Sequence, residues 1–110
     1  MSEYQPFNPE AIYQKLNETG DAWVDKNAAA EILEETKKSV LAELMTGFDG
    51  PKTERESKAL ADPAYRLHLS SMVAARKEAN RARVKYDSMR VLAEMRRTQE
   101  STRRAEANIR

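Results

Sequence analysis

The chain has no cysteine, three glycines, four prolines, one histidine and only 6% aromatic residues. Without cysteine there is no disulfide, no thiolate metal site and no thiol nucleophile. That absence fits a reducing compartment. A single histidine leaves no metal-ligand spacing, and the Glu-x-x-His pattern of di-metal helix bundles is missing. No GxGxxG, GxxxxGK[ST] or GxSxG motif occurs. The expectation is a non-enzyme without a cofactor. No apolar run approaches the roughly 20 residues that a membrane span requires, so no membrane partner is expected. The opening MSEYQPFNPE lacks the basic n-region and apolar h-region of a signal peptide. The expected location is the cytoplasm.

What is present points to helices. In 110 residues, 34% are charged, and Ala, Glu, Lys, Arg and Leu dominate, a composition of long helices or coiled coils. The length is one domain's worth with a modest core. The net charge of +1 hides an asymmetry. Residues 1–62 hold 7 Lys/Arg against 13 Asp/Glu, and residues 63–110 hold 12 against 5. The basic half can bind nucleic acid, or an acidic segment can pack on it within or between chains.

Residues 1–7 read as a flexible arm. Asn8-Pro9-Glu10 reads as a helix start, with an N-cap, Pro at the first helical position and an early acid. Helix 1 is expected over 8–20, ended by Gly20. Asp21 can cap helix 2, expected over 21–46, with Leu33, Val40 and Leu44 on its apolar stripe beside Ala30, Leu41 and Met45. Gly47 and Asp49-Gly50-Pro51 should stop it. Thr53 and Glu56 have the spacing of a capping box, which predicts a short helix over 53–61. Asp62-Pro63 is a further cap, and no Gly or Pro follows it. A long helix is expected over 63–106. Its residues Tyr65, Leu69, Met72, Ala75, Ala79, Ala82, Tyr86, Met89 and Ala93 recur at heptad-like spacing. The predicted fold is all-α: a coiled-coil-like antiparallel helical hairpin with one very long C-terminal helix and a short N-terminal helix.

Helix 2 is too short to cover the long helix. The uncovered seam around Tyr86, Met89, Val91, Leu92 and Met95 would be costly in water. A homo-oligomer, dimer or higher, is therefore expected through Tyr86, Met89, Leu92 and Met95.

His68, beside Tyr65, Leu69 and Met72, reads as a packed or surface histidine. Glu31, Glu34 and Glu35 read as a solvated acidic face and not as a metal site. Trp23, Tyr4, Phe7 and Tyr13 could stack on bases, but such aromatics serve more often as core or interface anchors. The basic stretch RKEANRARVK begins an arginine line at steps of seven: Arg76, Arg83, Arg90, Arg97 and Arg104. Such a line flanks the seam and can meet acids of a partner helix or track phosphates. Arg76, Arg83 and Arg90 are expected to pair helices, with Glu31, Glu34, Glu35 and Glu43 available. Arg96, Arg97, Arg103 and Arg104 lie past the seam and are the candidate nucleic-acid contacts.

The stretch ADPAYRLHLSSMVAARKEANRARVKYDSMRVLAEMRRTQESTRRAE (61–106) resembles a group of small uncharacterised phage and prophage proteins, with EANRARVKYD and RTQESTRRAE as its core and ending. DKNAAAEILEETKKSVLAEL extends the likeness loosely into the first half. The resemblance implies a setting in DNA recombination or replication inside a bacterial host. It supplies no activity, cofactor or binding residues. The expected function is a non-catalytic accessory protein that binds nucleic acid or a recombination or replication protein. The alternative is a protein–protein adaptor, or an inhibitor of a host enzyme, with no nucleic-acid contact.

Overall fold

The computed structural model describes residues 8–109. The expected arm over 1–7, with Tyr4 and Phe7, lies outside the described residues. Four helical segments make up the rest: α1 (Pro9–Glu35), α2 (Lys37–Met45), α3 (Lys52–Ala61) and α4 (Pro63–Ile109). There is no strand among the described residues. The fold is an all-α antiparallel hairpin with a C-terminal helix of 47 residues.

Two of the expected starts form. The Asn8 side-chain oxygen accepts the Ala11 N–H at 3.2 Å. The Asp62 carboxylate accepts the Ala64 N–H at 2.8 Å, with Pro63 opening α4. Nothing in α4 interrupts the backbone ladder, so it continues past the expected end at 106 to Ile109.

Gly20 does not end a helix and Asp21 does not cap one, because α1 runs through both without a break. The reason lies in a seam of its own. Ile12, Leu16, Thr19, Trp23, Asn27, Ala30 and Leu33 follow at spacings of 3 and 4, and every one is buried or half-buried. A mid-helix glycine costs only about 1 kcal/mol relative to alanine, and this continuous face outweighs it. The N-terminal helix is therefore not short. It is the first part of a 27-residue helix.

The real interruption is at Thr36, between α1 and α2. Its hydroxyl donates back to the Ile32 carbonyl at 2.8 Å and lies 3.3 Å from that of Leu33. Thr19 makes the same back-bond without a break in α1. What sets Thr36 apart is its backbone at φ −84°, ψ −4°, well off the usual helical ψ of about −42°. The end of α2 tightens through successive i→i−3 bonds at Thr46, Gly47 and Phe48. Gly47 keeps a negative φ, and Gly50, at φ 111°, is the glycine that turns the chain. The capping box over Thr53–Glu56 is not formed. Pro51, extended at ψ 154°, is the N-cap of α3 with no side-chain cap bond. Thr53 thus sits inside the first turn, where its hydroxyl cannot serve as the cap.

The described residues divide into two compact units, residues 24–81 and residues 8–23 with 82–109. In the first, α1 and α4 run antiparallel: Lys26 meets Glu78, Glu34 meets Arg76, and Leu33 meets His68. Ala30 and Ala79 are sealed at this level, α2 packs on α3, and Ala59 and Tyr65 are buried. In the second, the Tyr86 ring stacks on Trp23 at 5.7 Å between centroids. Gly20 leaves room for that ring, and Ala82 and Ala93 are buried. Among the described residues, all the buried ones but Tyr65 are alanines. Small side chains let helices approach closely, and they also limit the apolar area each turn can bury.

Candidate nucleic-acid interface

The arginines spaced by seven on α4 meet different fates. Arg76 is engaged across the hairpin by three hydrogen bonds. Its Nε and Nη2 donate to the two Glu34 oxygens at 3.0 and 2.6 Å, and Nη1 donates to Asn27 at 2.8 Å. The hydrogen bonds from Arg76 hold the Glu34 carboxyl below the usual carboxylate range. The same bonds raise the Arg76 guanidinium. Beside them Lys26 and Arg81 both reach Glu78. The Lys26 hydrogen bond is the main reason Glu78 is held below its ordinary value.

Arg83 and Arg90, expected to pair helices, bond within α4 instead. Both lean on Asp87, at 3.8 and 3.9 Å. The cause can be read on α1. Counting toward the N-terminus from Glu34 by sevens gives Asn27, Gly20 and Tyr13. No carboxylate repeats there to meet the arginine line.

Further along α4, Arg96 is half-buried while Arg97, Arg103 and Arg104 are exposed. Arg104 lies 3.8 Å from Glu100, and Arg103 is also engaged. Arg97 makes no ion pair among the described residues. Residues 96–104 hold four arginines and one acid, Glu100, on less than three turns of helix. Positive charge is dense here, with Arg97, Arg103 and Arg104 exposed and Arg96 half-buried three residues past the buried Ala93.

The residues expected at an oligomer interface separate into two pairs. Tyr86 and Met89 are half-buried, and Tyr86 is committed to Trp23 within the chain. Because α1 passes through Gly20, Tyr86 meets the turn at Gly20 as well as Trp23. Leu92 and Met95 remain exposed, at 43% and 54%. They border two shallow grooves of about 390 and 420 Å³, one lined by Asp87, Ser88, Val91, Leu92 and Met95, the other by Val91, Glu94, Met95, Thr98 and Gln99.

The other candidates have structural partners. His68 Nε2 lies 2.8 Å from the Leu33 carbonyl. A carbonyl only accepts, so that nitrogen carries a hydrogen, and the ring braces the backbone beside the Thr36 bend. Glu31 accepts the Asn27 amide at 3.0 Å. No group of three His, Cys, Asp or Glu suited to a metal occurs among the described residues. Trp23 offers its face to Tyr86, while Tyr13 is exposed. No helix among the described residues is long and apolar enough to cross a membrane. No family model, curated protein or solved structure matches the chain.

Proposed function

We propose that this chain is a non-catalytic phage accessory protein of DNA recombination or replication, and that it contacts nucleic-acid phosphates through Arg96, Arg97, Arg103 and Arg104. The observation that carries this reading is the contrast along one helix. Arg76 commits three of its N–H donors to Glu34 and Asn27, whereas the exposed Arg97 has no carboxylate partner among the described residues. Guanidinium groups displayed on a helix edge bind phosphate oxygens in a bidentate fork and release condensed counterions. Contacts of this kind give affinity without base readout.

The test is fluorescence anisotropy with labelled single- and double-stranded DNA over a salt series. Binding in low salt is expected. Arg97→Gln and Arg104→Gln should each reduce the log–log salt slope by about one unit, because each leaves one phosphate without its guanidinium. Arg76→Gln should leave DNA affinity unchanged. No binding even in about 50 mM salt, where such contacts are strong, would refute the nucleic-acid reading. It would favour the adaptor or host-enzyme inhibitor, which the exposed Val91, Leu92 and Met95 support.

A further inference from the structure

A second heptad line runs along the solvent side of α4. Val84, Ser88, Val91 and Met95 begin it, and Thr98, Thr102, Ala105 and Ile109 continue it, with steps of 4 and 3 in strict alternation. Residues 84–109 contain ten charged side chains, and none falls on these eight positions. All eight are exposed, with Val84 at 63% and Ile109 at 85%. The line is distinct from the seam through Ala82, Tyr86, Met89 and Ala93, which the chain itself covers. The two grooves lie along it, each bounded by three successive seam residues and their flanks. They have the form of the holes that receive the knobs of a facing helix.

We infer that this face pairs with the same face of a second copy, antiparallel, about a two-fold axis between residues 96 and 97. In that register Val84 faces Ile109, Ser88 faces Ala105, Val91 faces Thr102 and Met95 faces Thr98. Each layer is closed by its symmetry mate, as a two-fold interface requires. The Thr98 hydroxyl already bonds the Glu94 carbonyl of its own helix at 3.0 Å, so no unsatisfied donor enters the central layers there. The flanks choose the direction. Lys85 comes opposite Glu106, Leu92 opposite Gln99, Asp87 opposite Asn108 and Glu94 opposite Ser101, so no like charges meet. A parallel pair stacks Ser88, Thr98 and Thr102 on themselves, and it leaves both Lys85 and Glu106 without a charged partner. The antiparallel pair also sets Arg90, Arg97 and Arg104 of both copies along one side.

This pairing does not depend on nucleic acid and is tested without it. Sedimentation equilibrium from low to high micromolar concentration should show the mass rising from 12.6 kDa toward twice that value. Val91→Glu with Met95→Glu should hold the chain at 12.6 kDa with its circular dichroism unchanged, since neither side chain belongs to the chain's own seam. Direction is read by cross-linking, because the chain has no cysteine of its own. A mixture of Ser88→Cys and Ala105→Cys chains should oxidise to a mixed dimer. Ser88→Cys alone should not, because its two copies lie about 25 Å apart along the pair, far beyond disulfide reach. A mass fixed at 12.6 kDa throughout, a doubled mass that survives both glutamates, or ready cross-linking of Ser88→Cys alone would each overturn the inference.

Discussion

Gly20→Ala offers a sharp test of how the first half of the chain is built. Gly20 lies inside α1, and its φ is not positive, since Gly50 alone has a positive φ among the described residues. Replacing an interior helical glycine with alanine gains about 0.8–1.0 kcal/mol in helix propensity. The new methyl would sit 3.4 and 3.6 Å from Cε2 and Cδ2 of Tyr86, in ordinary contact distance. Each such contact adds about 0.1–0.2 kcal/mol. The substitution should therefore stabilise the protein by about 1 kcal/mol, which for a domain of this size raises Tm by about 4–8 °C. Gly20→Leu should lose that gain. Its longer side chain meets the Tyr86 ring, which is backed by Trp23, and overpacking of this kind costs about 1–3 kcal/mol. Thermal melts followed by circular dichroism measure both. If Gly20→Ala lowers Tm, then Gly20 is a helix terminator and α1 is not one continuous helix.

Two caps should behave differently from one another. Asp62→Ala removes the acceptor for the Ala64 N–H and should cost about 1 kcal/mol in urea unfolding. Thr53→Ala should stay within about 0.5 kcal/mol, because α3 is capped at Pro51 and the Thr53 hydroxyl has no capping bond; a loss comparable to that of Asp62→Ala would mean the box forms after all. Arg76→Gln should lower stability at neutral pH and leave the protein nearly as stable as the parent in acid. The folded-state pKa of Glu34 lies below its unfolded value. Its contribution is therefore present above the unfolded carboxylate range and is lost as pH falls through the folded one. Urea midpoints at neutral and acid pH give the comparison, and a deficit that does not change with pH would exclude the Glu34 pair as its source.

The charge split between the halves of the chain has only a partial structural counterpart. The Arg76–Glu34 pair turns it into a cross-helix contact, whereas Lys26–Glu78 joins the helices in the opposite sense. Arg83 and Arg90 are satisfied by Asp87 of the same helix. Positive charge then remains on the last turns of α4, where acids are sparse.

The sequence by itself determined the features that depend on neighbours within one turn. Asn8-Pro9 and Asp62-Pro63 start helices because the cap side chain and the proline act locally. The absence of Gly and Pro after residue 63 makes α4 one helix. Its inward seam was legible as a 3-and-4 spacing, because a helix brings such residues to one face whatever lies opposite. Tertiary structure decided the rest, and in each case a weak local preference met a long-range contact. Gly20 carries about 1 kcal/mol of helix-breaking tendency, and the half-buried face from Ile12 to Leu33 overrides it. Thr53 has the residue type of a cap, but Pro51 begins α3 first. Thr36, which no spacing singled out, interrupts the helix at the level where His68 of α4 bonds the Leu33 carbonyl. The arginines repeat evenly along α4, yet among the described residues Arg76 alone of that line is shown bonding a carboxylate across the hairpin. Period places a side chain on a face, and the identity of the residue on the facing helix decides what it can hold.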